Sequence, residues 1–192
     1  DDTGVGTQDL IMKGLGWFIY FWQVDISRYP KCGEEIIVGT FAYEDRGSSE
    51  ERNFYIKTVR DDIIVRANSV WSLVDLAKLQ IMRIPNEVMD RNRKMNEDKL
   101  DMEYLGRRIR YSGECNIRKV GEHIVSRLEL DSNRHLNNSE YIKIALATIA
   151  NFNPSSVTRL CIEYRKQAVE GDLLHIFLAR EDEMIIDIRS DS

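Results

Sequence analysis

Asp131, Asn133 and His135 place a carboxylate, an amide and an imidazole at alternate positions of one short stretch. In an extended segment alternate side chains leave the same side of the backbone, so this spacing makes the three groups convergent. An imidazole takes and returns protons near neutral pH, a carboxylate is a second base, and an amide orients a water or a carbonyl. That is equipment for general acid–base chemistry. The same residue types are also ordinary turn and cap residues, so the spacing alone fits a structural turn as well.

The flanking elements must position the trio. Ile124 to Leu130 is an extended, partly alternating run, and Tyr141 to Ala150 is an apolar helix with Lys143 as its one charge, which predicts a strand-to-helix corner. Asn138 or Ser139 is expected to cap the helix, leaving further backbone N–H groups aimed at the trio. Such donors suit an oxyanion, at about 3–4 kcal/mol each. A helix apolar nearly all round predicts enclosure by strands. His123 and His175 lie in strand contexts without a nearby partner motif and read as structural or surface residues.

Before the corner, Trp17 to Ser27, Glu35 to Tyr43, Asn53 to Val59 and Ile63 to Leu76 read as strands of an antiparallel sheet, with Glu44 to Arg52 a charged loop. Lys78 to Met82 adds a last turn. Pro85 ends the sheet, and the charged run after Asn86 reads as a linker. Turns are expected at Ser112-Gly113 and at Lys119 to Glu122. After the helix, the run from Asn151 to Ser156 is a stop signal, followed by strands over Val157 to Gln167, Leu173 to Arg180 and Met184 to Arg189. The expected division is 1–85, a linker over 86–103, and 104–192.

An internal repeat supports two similar units. Asp25-x-x-Arg28-x-x-x-x-Gly33-Glu34-x-Ile36-x-Val38 aligns at a constant offset with Glu163-x-x-Lys166-x-x-x-x-Gly171-Asp172-x-Leu174-x-Ile176. The second hairpin follows a helix, whereas only Asp1 to Leu15 precedes the first. The first unit is therefore expected to lack its opening strand and most of its helix here.

Composition narrows the class. A hydrophobic share of 43% supports a packed core, and 32 acidic against 27 basic residues argue against general nucleic-acid binding. Cys32, Cys115 and Cys161 are odd in number and lack metal-ligand spacing, so they read as reduced thiols of a cytoplasmic protein with no metal site. No apolar run approaches the ~18–20 residues of a membrane span.

The run Asp131-x-Asn133-x-His135-x-Asn137-Asn138-x-x-Tyr141 resembles the signature of the acyl-acyl carrier protein thioesterases, which release fatty acids from acyl carrier protein. Gly16-Trp17, Arg28-Tyr29-Pro30-x-x-Gly33, Ser69 to Asp75, Arg83-Ile84-Pro85 and Ile162-Glu163-Tyr164-Arg165 also resemble that family, so the likeness covers nearly the whole chain. It implies an α+β double hotdog, two antiparallel sheets each wrapped around a central helix, in a monomeric pseudo-dimer or a homodimer. It implies hydrolysis of acyl-acyl carrier protein by water without metal or organic cofactor, with neither nucleic acid nor membrane insertion involved. Hydrolysis of acyl-coenzyme A and non-catalytic acyl binding are the alternatives.

The same resemblance assigns roles. Asp131, Asn133 and His135 would be catalytic, and helix-start N–H groups near Asn137 and Asn138 would bind the oxyanion. Trp17, Tyr20 and Trp22 would shape the acyl pocket. The family has a Glu, followed in plant members by Cys, where this chain has Gln167 and Ala168. That excludes a cysteine nucleophile there, and Gln167 can hydrogen-bond but cannot act as a base. Glu163, expected on the same strand face about 13 Å away, reads as structural. Arg107, Arg108 and Arg110 form a basic cluster able to steer an acidic carrier, or simply a solvated face.

Overall fold

The computed structural model describes residues 7–95, 98–110, 116–149, 151–180 and 184–191, so the expected Ser112-Gly113 turn and Cys115 lie outside the described residues. The chain divides into two compact units, Asp1–Ile109 with Ser155–Tyr164, and Arg110–Pro154 with Arg165–Ser192. These bounds cut across the expected division, because a strand from the second half of the sequence belongs to the first unit.

The first unit is an antiparallel sheet. Its strands are β1 (Leu15–Ile26), β2 (Ile36–Arg46), β3 (Ser49–Thr58), β4 (Ile63–Asp75), the short β5 (Gln80–Ile81) and β7 (Arg159–Glu163), in the order β2-β3-β4-β1-β7 with β5 on β4. The charged run 44–52, expected as a loop, is strand on both sides of a tight turn at Gly47 (φ 69°). Its inward charges are paired: Arg52 sits 3.2 Å from Glu50, and the Tyr43 hydroxyl donates to Glu51 at 2.5 Å. Pairing along β3 for Glu50 and from β2 for Glu51 lets these carboxylates, only 5% and 6% exposed, remain in the sheet.

Register assigns the faces. Trp17 and Trp22 lie opposite Leu73 and Ser69, alternate residues flanking Trp71 on β4, so the chain's three tryptophans share one face. Trp22 meets Phe54 with ring centroids 4.7 Å apart and planes tilted by 45°, while Trp17 packs against Leu10, Leu73, Ile84 and Val88. Leu10 comes from α1 (Thr7–Met12) and Val88 from α2 (Asn86–Met95). Pro85 thus precedes a helix, and the opening of the expected linker is helical.

The rest of that linker is tied down. Asn53, fully buried, accepts from the Leu100 N–H and the Tyr104 hydroxyl, each at 3.0 Å. Gln23, also fully buried, donates to the Glu103 carbonyl at 2.7 Å and accepts from the Leu105 N–H at 2.9 Å. The Ile109 N–H reaches Glu163 at 2.9 Å. Residues 98–109 therefore form a strap fixed to the sheet through side chains that burial forbids to go unpaired.

In the second unit β6 (Arg118–Ile124), β8 (Leu173–Arg180) and β9 (Ile185–Ser190) pair antiparallel in the order β6-β8-β9, and α3 (Asn138–Ala147) is its α-helix among the described residues. Val125, Leu136, Ile144, Ala168, Leu174 and Ile176 form the core, with Tyr141 packed against it. Ile144 is the buried residue of α3, and Lys143 and Ala147 are exposed. The helix is thus not enclosed as expected: it packs by one stripe.

The repeat is real at the level of hydrogen bonds. The Lys31 N–H donates to the Glu34 carboxylate at 2.8 Å, and the Val169 N–H donates to the Asp172 carboxylate at 3.0 Å. Glu34 and Asp172 each return their own N–H to those residues' carbonyls, at 3.0 and 3.1 Å. Gly33 (φ 78°) and Gly171 (φ 87°) supply the left-handed residue that each turn requires. The β1–β7 ladder respects the same symmetry, since Gln23 lies opposite Cys161, its own equivalent in the repeat.

Candidate active site

The corner is a tight turn and not an extended strand. After β6 ends at Ile124, Arg127–Glu129 makes one 3-10 turn, and a bridge between Leu130 and Leu136 closes a small hairpin. The Asp131 N–H donates to the His135 carbonyl at 2.8 Å, and Arg134 sits at φ 62° near the tip. Alternation therefore does not bring the trio together. One oxygen of the Asp131 carboxylate instead accepts the Asn133 N–H at 2.8 Å and the His135 N–H at 3.1 Å, bonds to the backbone of the other two residues. Asp131 is thus the keeper of the turn, whatever else it does. Asn133 is exposed and His135 half-buried.

The helix start is capped one residue earlier than expected. Asn137 accepts the N–H and the hydroxyl of Ser139, each at 3.0 Å, so Asn137 is the cap in place of Asn138 or Ser139. Its own N–H donates to the Glu129 carbonyl at 2.9 Å. An amide engaged in this way does not serve as an oxyanion donor, which corrects the expectation at Asn137. Asn138 is the first residue of α3.

Ala168 and Val169, just after Gln167, meet the corner by a route the sequence did not suggest. The strand expected over Val157 to Gln167 ends at Glu163, and Glu163 and Gln167 fall in different units. The segment after Arg165 pairs instead with the hairpin: His135 bridges to Val169, and the Leu136 N–H donates to the Ala168 carbonyl at 2.8 Å. Ala168 is buried at 3% exposure while Gln167 is exposed beside it. Tyr141 completes the arrangement, its hydroxyl accepting the Ala168 N–H at 3.0 Å from within α3. Burial pushes the Tyr141 phenol up, so it stays protonated while it accepts that bond. Tyr141 was visible as a signature position, but its role as a tie to Ala168 was not.

A second missed element lies behind the corner. His123 does have a partner: its Nε2 is 3.0 Å from Glu129. Ser126-x-x-Glu129 has the spacing of a capping box and was legible as one, whereas nothing marked His123. His175 also has partners, Asp191 at 2.9 Å and Glu122 at 3.2 Å. Glu163, in the first unit, is structural through its bond to Ile109.

The expected pocket and patch residues separate. Trp17 and Trp22 share a sheet face, but the Tyr20 hydroxyl accepts from Arg107 of the strap at 3.2 Å. The three do not form one wall. Arg107 is also ion-paired to the buried Glu51, so it is not available as a solvated patch, while Arg108 and Arg110 are exposed. Among the described residues, no group of three or more His, Cys, Asp or Glu side chains is placed to hold a metal ion. Among them, too, no helix is long and apolar enough to cross a membrane.

Two family models match this chain: the acyl-ACP thioesterase N-terminal domain over residues 1–91, and the acyl-ACP thioesterase C-terminal domain over residues 114–189. An acyl-[acyl-carrier-protein] hydrolase of Cuphea viscosissima is 25% identical over 183 residues, covering 91% of this chain and 43% of that protein. A palmitoyl-acyl carrier protein thioesterase of Gossypium hirsutum is 25% identical over 178 residues, covering 88% and 42%. Both relatives are chloroplastic, and the chain spans less than half the length of each. Among solved structures, an acyl-ACP thioesterase from Bacteroides thetaiotaomicron superposes with a TM-score of 0.84 at 18% identity, covering 99% of this chain and 77% of that one. A 12:0-ACP thioesterase from Umbellularia californica gives a TM-score of 0.72 at 18% identity, covering 98% and 80%. Antiparallel sheets, few helices and these likenesses identify a hotdog-type fold, and the paired family matches make the chain a member of the acyl-ACP thioesterase family.

Proposed function

We propose that this chain hydrolyses the thioester of a fatty acyl group carried on acyl carrier protein, yielding free fatty acid and holo-carrier. The observation that carries the reading is the family's signature folded as one closed turn, with His135 bridged to the segment bearing Gln167 and Ala168 at the start of α3. His135 takes a proton from a water aligned by Asn133, and the hydroxide attacks the thioester carbonyl. The oxyanion is received at the start of α3, beside Asn138, where the helix end carries partial positive charge. Collapse breaks the C–S bond, and the departing thiolate takes the proton from His135. Gln167 contributes a hydrogen bond to water or substrate and no base.

The wider assignments follow the family. The two units correspond to a double hotdog, a reading supported by the repeated turn and the symmetric β1–β7 ladder. One chain then supplies both halves of a pseudo-dimer, alone or in a homodimer. The face carrying Trp17, Trp22 and Trp71 is suited to an alkyl chain, with Tyr20 held aside by Arg107. Arg108 and Arg110 remain as cations for an acidic carrier. Cys32 and Cys161 are free thiols, which suits a reducing compartment such as the cytoplasm.

Thiol release from acyl carrier protein loaded with several chain lengths tests this, run beside acyl-coenzyme A and His135→Ala. Wild type should release thiol, and His135→Ala should lower the rate by about 100-fold or more, the scale of a lost general base. Equal rates for the two proteins would end the enzymatic reading in favour of acyl binding. A preference for coenzyme A would move the substrate.

A further inference from the structure

We infer that His123 and Glu129 act as a positioning pair that holds the catalytic corner from behind, a role resting on the thioesterase reading above. His123 stands on β6, opposite Leu174 of the central strand β8, so its backbone is fixed by the sheet. Its Nε2 lies 3.0 Å from one oxygen of the Glu129 carboxylate and 2.9 Å from the other. The first of those oxygens also accepts the Ser126 N–H at 2.7 Å. The carboxylate therefore pins both ends of the 3-10 turn, and the imidazole pins the carboxylate to the sheet.

The chain of contacts continues to the reacting groups. Glu129 receives the Asn137 N–H on its backbone carbonyl at 2.9 Å, and Asn137 is the residue that caps α3. Glu129 and Asn137 thus close the hairpin whose inner pair is Asp131 and His135, joined at 2.8 Å. A shift of Glu129 moves the helix start and, through the hairpin, the backbone that carries His135. Burial opposes ionisation of Glu129, but the Ser126 N–H and His123 outweigh it and hold the carboxyl below the usual range. The contacts of the pair are with each other and with the Ser126 N–H, so its removal should slow the bond-breaking step and leave substrate affinity nearly unchanged.

Full-length His123→Leu, His123→Gln, Glu129→Ala and Glu129→Gln are compared with wild type on palmitoyl-loaded acyl carrier protein. The Leu and Ala variants should lose about tenfold or more in kcat with KM within about twofold, the scale of a misplaced catalytic group. His123→Gln, whose amide still donates to the carboxylate, should recover most of the loss, and Glu129→Gln should sit between. Unchanged kcat in the Leu and Ala variants, or a Gln no better than Leu, would overturn the role. Amide exchange in the substrate-free protein gives an independent reading: the Asn137 and Ser139 amides should exchange faster in His123→Leu while Leu174 and Ile176 stay protected. Were wild type to release no thiol, the proposed function would fall, and this exchange pattern would still decide whether the pair holds the corner.

Discussion

The Asn133 and His135 N–H groups need only a lone pair at residue 131, and an amide oxygen offers one as well as a carboxylate does. Asp131→Asn therefore keeps the turn and removes the charge, while Asp131→Ala removes both. We expect Asp131→Ala to lose about 1–3 kcal/mol in a urea melt, the cost of stranding such donors, and Asp131→Asn to melt within about 0.5 kcal/mol of wild type. If the carboxylate also takes part in the reaction, thiol release falls in both. Activity retained in Asp131→Asn would confine Asp131 to holding the turn. Glu34 offers a test by pH. The Arg28 guanidinium, followed by the Lys31 N–H, holds its carboxyl down to about 2. A carboxyl depressed by folding adds stability that is complete above its unfolded value of about 4.3 and is lost as pH falls through the folded one. An NMR titration should place Glu34 near 2, and Arg28→Ala should move it upward; a wild-type midpoint above 4 would contradict the Arg28 contact at 2.6 Å.

The strap over 98–109 is the element whose order depends most on a few side chains. Leucine at 53 would fill the space of Asn53 but leave the Leu100 N–H and the Tyr104 hydroxyl without the acceptor they share. Asn53→Leu should cost about 2–4 kcal/mol on that account and raise amide exchange at Leu100 and Leu105 ahead of the β3 and β4 amides. Equal protection of the strap in variant and wild type would show that other contacts hold it. The sequence could not announce this element, because the run 86–103 is charged and nearly free of apolar anchors, and its partners, Gln23 and Asn53, sit in strands far away in the chain. Strands carried by β-branched and aromatic residues were legible: Leu173 to Arg180 was placed as it stands, and β1 and β4 within a few residues. The hairpin over Leu130 to Leu136 was legible in its residue types but not in its shape. Asp131 folds back on two backbone amides, and that local bond overrides the extended geometry that alternation implies.

For the molecule as a whole, the likeness of the two turns at Gly33 and Gly171 could be read, but the placing of β7 with the first unit could not. From Arg159 to Glu163 the chain bonds to β1, and from Ala168 onward it bonds to the hairpin at Leu136. Both are backbone ladders, so residues 159–167 look like one strand in sequence whichever partner each part has. The consequence concerns fragments. A piece ending at Ile109 carries β1 without β7, leaving Phe21 to Asp25 as an open edge and Asp25 without the Arg159 guanidinium that bonds it at 2.6 Å. A piece beginning at Arg110 carries β7 with no strand to pair. We expect each fragment expressed alone to aggregate or to melt well below the intact chain, and the two expressed together to co-purify through the β1–β7 ladder. Val24→Pro, two residues before the Ile26 N–H that donates to Thr158 and on the same edge of β1, removes a backbone donor facing β7 opposite Leu160 and should abolish the co-purification. A soluble 1–109 fragment with the melting temperature of the intact chain would show that β7 completes the first sheet without stabilising it.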